Sequence, residues 1–159
     1  MREELQTAIQ NLERDGRFHM ETHYLQHGTV TVYEHSIHVA DASLSFVRKL
    51  GLHVDEKSLI RGALLHDYFL YDWHEKDLSH RLHGFTHPAR ALQNAREDYT
   101  LNRVEENIIL RHMFPLTMMP PACREGWIVC LVDKYCAAQE TLHALGGHFQ
   151  DKLRHSLGT

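Results

Sequence analysis

Wherever apolar residues recur with a clear period in this chain, the interval is three or four residues, which is the repeat of one helix face. No stretch alternates apolar and polar residues convincingly, as a half-buried strand would. Leu5, Ala8, Ile9 and Leu12 mark a first helix, which Asp15-Gly16 ends. Residues 17–31 read as irregular and carry His19, His23 and His27. A second helix spans about Tyr33 to Leu50, with Ile37, Ala40, Leu44 and Val47 on one face and Gly51 as its stop. Asp55 caps a third, which runs through Leu59, Ile60, Ala63 and Leu64 to His66. Residues 68–85 read as a long loop, and Thr86-His87-Pro88 as a helix start, because proline is tolerated in a first turn. Asn102 and Glu105 form a capping-box signature for a helix reaching His112. Pro115, Pro120 and Pro121 break the connector that follows, and the last main helix runs from about Arg124 to Leu145, ahead of Gly146-Gly147. The predicted class is all-α, a bundle of six to seven helices.

The 159 residues suit a single domain, and 43% hydrophobic residues suffice for one core. The core is expected over about 25–140, flanked by the N-terminal helix and a C-terminal tail. A formal net charge of -4 supplies no general basic field for nucleic acid. No apolar run approaches the length of a membrane helix, and MREELQTAIQ lacks the apolar stretch of a signal peptide. Cys123, Cys130 and Cys136 are odd in number and form no CxxC pair. They read as buried free thiols of a cytoplasmic protein.

Histidine is the compositional outlier, at 15 residues. His66-Asp67 ends the apolar helix GALLHDYFLYDW. Imidazole and carboxylate both ligate zinc, iron, manganese or nickel, and a carboxylate in apolar surroundings needs a cation or several hydrogen bonds. Taken alone, the pair could equally be a cap and a solvated charge. His35 in YEHSIHVA and Asp133 in WIVCLVDKYCA add to it. Asp133 sits in a helix that is apolar around it, and its bland alternative is a salt bridge to Arg61 or Lys134. His38 lies on a face near that of His35 and is a candidate supporting residue. His74, His80, His83, His143, His148 and His155 are expected at or near the surface.

The order of HSIHVA, ALLHD and LVDKY resembles the HD metal-dependent phosphohydrolase superfamily, over roughly residues 25–140. The segments YEH, LYDWH, FTHP, RHMFPLT and VDKYC are similar to small bacterial members. The resemblance implies a helical bundle with His35, His66, Asp67 and Asp133 around one divalent transition metal (Mn, Fe, Ni, Co or Zn). By the same resemblance, His87 and His112 fall where two-metal branches place ligands of a second ion, bridged by the doublet aspartate, Asp67. His87 could instead be only a cap, and His112 a phosphate-contacting or proton-donating residue. Two positions depart from the pattern. Tyr68 and Phe69 follow the doublet in place of a small hydrophobic residue and glycine, and Leu70 stands where single-metal nucleotidases often carry glutamate, with Asp72 the nearest acid.

The implied activity is hydrolysis of a phosphomonoester or phosphodiester, with a small phosphorylated substrate such as a nucleotide. The candidate catalytic residues are Asp67, His87, His112 and Lys134, with Arg61 and Arg111 as further phosphate contacts. Two alternatives stand beside it. One is a mixed-valent di-iron oxygenase of HD type, for which Tyr24 and His27 precede the first histidine as lid candidates. The other is a non-enzymatic metal- or nucleotide-binding module.

Overall fold

The computed structural model describes residues 2–71 and 83–157. Its elements in chain order are α1 (Glu3–Asp15), a 3₁₀ helix (Phe18–His23), β1 (Leu25–His27), β2 (Val30–Thr31), α2 (Val32–Leu50), α3 (Glu56–Leu65), α4 (His83–Asp98), α5 (Arg103–Arg111) and α6 (Arg124–Leu157). Among the described residues the fold is all-helical apart from one antiparallel ribbon, β1 against β2. That ribbon and the 3₁₀ helix occupy the stretch expected to be irregular. Strands of three and two residues are too short to show a period. Gly28 makes the ribbon's turn with φ +62, and a Cβ there would lie 2.6 Å from that of Ala144, so the turn sits directly on α6.

Local chemistry fixes the helix starts. Thr31 and Glu34 form a capping box at α2, Asn102 and Glu105 another at α5, and Asp55 accepts from the Ser58 amide at α3. Gly51, at φ +63, ends α2 in the left-handed conformation. α3 packs chiefly on α2 and α5, and α6 covers α2 and α5. The core joins Leu5, Ile9 and Leu12 of α1 to Val39 and Leu44 of α2, Leu59 and Leu64 of α3, Ile108 and Ile109 of α5, and Val129 of α6. Each large aliphatic side chain so buried contributes about 1.5–3 kcal/mol.

Two boundaries differ from expectation. α4 begins at His83, so His87 and Pro88 lie inside the helix and do not open it. Pro88 sits in the second turn, where its missing N–H leaves the Gly84 carbonyl without its i+4 donor. α6 continues through Gly146-Gly147 to Leu157. Two helical glycines cost about 1 kcal/mol each, and no proline follows to stop the helix. Residues 72–82, with Asp72, His74 and His80, lie outside the described residues.

Candidate metal centre

Six buried side chains from five places in the fold meet between α2, α3, α4, α5 and α6. His35 comes from the second turn of α2, His66 and Asp67 from the end of α3, and His87 from α4. His112 caps α5, and Asp133 comes from α6. Their exposures run from 0% for His35 and His66 to 7% for Asp133. Asp67 is the hub. One of its oxygens, Oδ1, lies 3.1 Å from His87 Nε2 and 3.4 Å from His112 Nε2. The other, Oδ2, lies 3.4 Å from His66 Nε2. Asp133 Oδ1 lies 3.1 Å from His35 Nε2 and 3.6 Å from His66 Nε2. His87 Nε2 and His112 Nε2 are 2.9 Å apart.

Backbone and carboxylate contacts aim the rings. His66 Nδ1 donates to the Ala63 carbonyl at 2.7 Å, and His112 Nδ1 donates to the Ile109 carbonyl at 2.9 Å. Each bond fixes the tautomer and leaves the Nε2 lone pair facing the cluster. His35 Nδ1 is held by Glu140 Oε2 at 2.8 Å, and Glu140 Oε1 also takes His38 Nδ1 at 3.1 Å. Gln26 of β1 donates its amide to Asp67 Oδ2.

The donor set fits a cation. His66 Nε2 and Asp67 Oδ1 are buried with no hydrogen-bond partner, although imidazoles stand at ion-pair distance from that oxygen. Leaving such atoms unmatched costs about 1–3 kcal/mol each. Donor separations of 2.9–3.6 Å match those of atoms sharing one ion at about 2.0–2.2 Å. Three overlapping triads qualify: His35, His66 and Asp67; His66, His112 and Asp133; Asp67, His87 and His112. The local field also favours positive charge. Burial alone would push Asp67 up, but His66, His112 and His87 hold it well below the carboxylate range. Asp133 is likewise held down, against its burial, by His35 and His66. Burial pulls His35 down, yet its bonds to Asp133 and Glu140 win and raise it to about 10. His112 moves the other way, below its usual value, because burial there outweighs Asp67.

All six expected ligand residues therefore converge. Lys134 does not join them. Its ammonium donates to the His112 carbonyl at 2.8 Å and the Cys130 carbonyl at 3.1 Å, at the C-terminal end of α5, where backbone dipoles favour a cation. Both contacts are to backbone carbonyls, and neither is to one of the six clustered side chains. Arg61 pairs with Glu105 at 3.0 Å and Arg111 donates to the Pro120 carbonyl at 2.9 Å, contacts outside the six-residue cluster. Asp133 faces imidazoles and is not the partner of Arg61 or Lys134. Phe69, which departs from the expected small residue, packs edge-on to His87 with ring centroids 5.8 Å apart. Asn94 holds the Tyr68 and Phe69 carbonyls at 3.0 and 2.9 Å, fixing the chain after the doublet to α4.

Sequence reasoning missed Gln26 and Glu140. Glu140 had a signal, because seven residues after Asp133 is two turns along the same face of α6. Gln26 had none, since its reach depends on the ribbon's turn against α6.

A helical bundle with a buried nitrogen-and-oxygen donor cluster defines a metal-binding class of protein. Residues 32–138 match the HD domain family, and the chain belongs to that family. HD domains are mostly metal-dependent hydrolases. No curated protein and no solved structure matches the chain. No helix among the described residues is long and apolar enough to cross a membrane.

Proposed function

We propose that this protein is a metal-dependent phosphohydrolase acting on a small phosphomonoester or phosphodiester, with a nucleotide as the favoured substrate class. The observation that carries it is the position of Asp67, whose two oxygens face different imidazoles of one buried cluster. His35, His66, Asp67 and Asp133 would hold one divalent transition metal, and Asp67, His87 and His112 a second. The bound ions would supply Lewis acidity toward phosphate oxygens and lower the pKa of water.

The chain's own groups do the rest. Ala63, Ile109 and Glu140 keep three imidazoles in the orientation that presents Nε2. Asp67 and Asp133 remain carboxylates, so each can accept a hydrogen bond from water and orient it. Gln26 fixes Asp67 from the ribbon side.

The test joins elemental analysis of protein purified without added metal to a panel of phosphate esters. Manganese, cobalt, nickel or zinc with chelator-sensitive phosphatase activity is the expected result. Two irons with no phosphatase activity would instead favour an oxygenase, and full activity after exhaustive removal of metal would overturn the reading.

A further inference from the structure

The face of α6 turned away from the metal centre is built differently from an ordinary solvated helix face. Between 127 and 146, the exposed positions are Trp127, Leu131, Tyr135, Ala138, Gln139, Thr141, Leu142, His143, Leu145 and Gly146. None is Asp, Glu, Lys or Arg, in a chain that is 24% charged. The helix does carry Asp133, Lys134 and Glu140 over this span, but all three are engaged inside the fold. At about 100° per residue, Trp127, Leu131, Tyr135, Ala138, Leu142 and Leu145 fall within one stripe about 80° wide, roughly opposite Asp133 and Glu140. Leu131 and Tyr135 are each 60% exposed, Leu142 68% and Leu145 61%.

We infer that this stripe is the interface of a homodimer, and that its occupant is α6 of a second copy. Three observations favour a second copy. The inner five positions of the stripe are balanced about their centre: bulky Leu131 and Tyr135 precede small Ala138, and bulky Leu142 and Leu145 follow it. An isologous pair needs such self-complementarity, and a small residue at its centre lets two helices approach closely. The area is of the right order: with Trp127 the bulky residues expose roughly 600 Å² per copy, so two copies can cover at most about 1,200 Å² from these residues, the lower edge of stable interfaces, before flanking positions are added. The absence of charge is the composition of an interface core. It also disfavours a lipid surface, because helices that lie on membranes flank their apolar face with Lys and Arg. Pairing would brace, from behind, the helix that supplies Asp133 and Glu140.

The experiment is sedimentation equilibrium on the full chain, with the variant Ala138→Arg alongside. Position 138 is exposed and arginine is a good helix former, so the variant keeps its fold, as circular dichroism will check. The wild type is expected to be a dimer at micromolar concentration. Ala138→Arg brings two guanidinium groups together at the centre and is expected to weaken dimerisation by at least about 100-fold. Leu142→Glu is a second variant with the same expected outcome. A wild type that stays monomeric at 100-fold higher concentration overturns the proposal, as does a dimer that neither variant weakens. A monomer that binds phosphatidylcholine–phosphatidylglycerol vesicles through this face also overturns it.

Discussion

Glu140 Oε2 accepts the Nδ1–H of His35 at 2.8 Å, across 105 residues of chain. That bond sets which nitrogen of a fully buried imidazole faces Asp133. Metal-ligating histidines commonly need such a partner, and its loss costs about 10–100-fold in metal affinity. Glu140→Ala is therefore expected to weaken metal binding by that order. Glu140→Gln, which can still accept from Nδ1–H, should recover part of the loss. Competition titration against a chromogenic chelator measures both. Unchanged affinity in Glu140→Ala would remove Glu140 from this role.

His66→Ala and Asp67→Ala should each abolish most metal binding. His66 belongs to two of the three candidate triads and Asp67 to two. Metal per chain, measured by plasma mass spectrometry on folded protein, decides it. Undiminished metal in either variant would falsify the site assignment.

The legible part of this structure was the part set by local chemistry. Asp55, and Asn102 with Glu105, start helices in the sequence and in the fold, and the apolar faces of α1, α2 and α3 are the core faces. Of the six candidate ligands, the His66-Asp67 pair at the end of an apolar helix and Asp133 within an apolar one stand out by local chemistry, whereas His87 and His112 came only with the family resemblance. Contacts that depend on how helices pack were not readable. Nothing near Lys134 says that its side chain reaches the end of α5, and Pro88 reads as a helix start because a proline is tolerated there at least as well as one turn further in. Tyr68 illustrates the same limit. Its departure from the family pattern makes sense only once Asp98 and Tyr99 stand beside it, 30 and 31 residues away.

Gly62 tests how closely α3 must approach α5. A Cβ there would lie 2.4 Å from Ile108 Cδ1 and 3.0 Å from its Cβ. Gly62→Ala forces the two helices apart, and overpacking of this kind costs about 1–3 kcal/mol despite the better helix propensity of alanine. Because α3 ends at His66 and α5 at His112, metal affinity should fall together with stability. Urea unfolding of the metal-free protein separates the two effects. A variant as stable as the wild type would mean that Ile108 gives way freely.

Acid should weaken the contact that joins the 3₁₀ segment to α4. Asp98 is mostly buried, which alone would raise its pKa, but Arg17 Nε at 2.8 Å and the Tyr68 hydroxyl at 2.7 Å both donate to it and hold it below the usual value. A carboxylate depressed in the folded state binds fewer protons there than in the unfolded chain. Its contribution is thus complete above an unfolded pKa of about 3.9 and is lost as pH falls through the folded value. Asp98→Asn is expected to cost about 1–2 kcal/mol at neutral pH. The gap between variant and wild type should narrow as pH drops below about 4. Urea melts at neutral and acidic pH test this, and a gap that does not change with pH would contradict it.

His87 and His112 bear on whether the centre holds one ion or two. Their Nε2 atoms stand 2.9 Å apart, and each faces Asp67 Oδ1. The Ile109 carbonyl takes the His112 Nδ1 proton, so the Nε2 of His112 is a lone pair. Two imidazole nitrogens at that separation suit two ligand positions on one ion. Of the remaining donors, His66 Nε2 faces the other oxygen, Oδ2, at 3.4 Å, and Asp133 Oδ1 links it to His35. A carboxylate can span the roughly 3.5–4 Å that separates paired catalytic ions. Wild-type protein is therefore expected to saturate at two metals per chain. Replacing His87 and His112 together with alanine should lower this to one while the His35, His66 and Asp133 side stays loaded. The competing arrangement is one ion, with the two histidines contacting phosphate or carrying protons. It predicts saturation at one metal per chain in the wild type and no change in the double variant. Metal titration followed by plasma mass spectrometry separates the two, and a double variant that still binds two metals would exclude His87 and His112 as ligands.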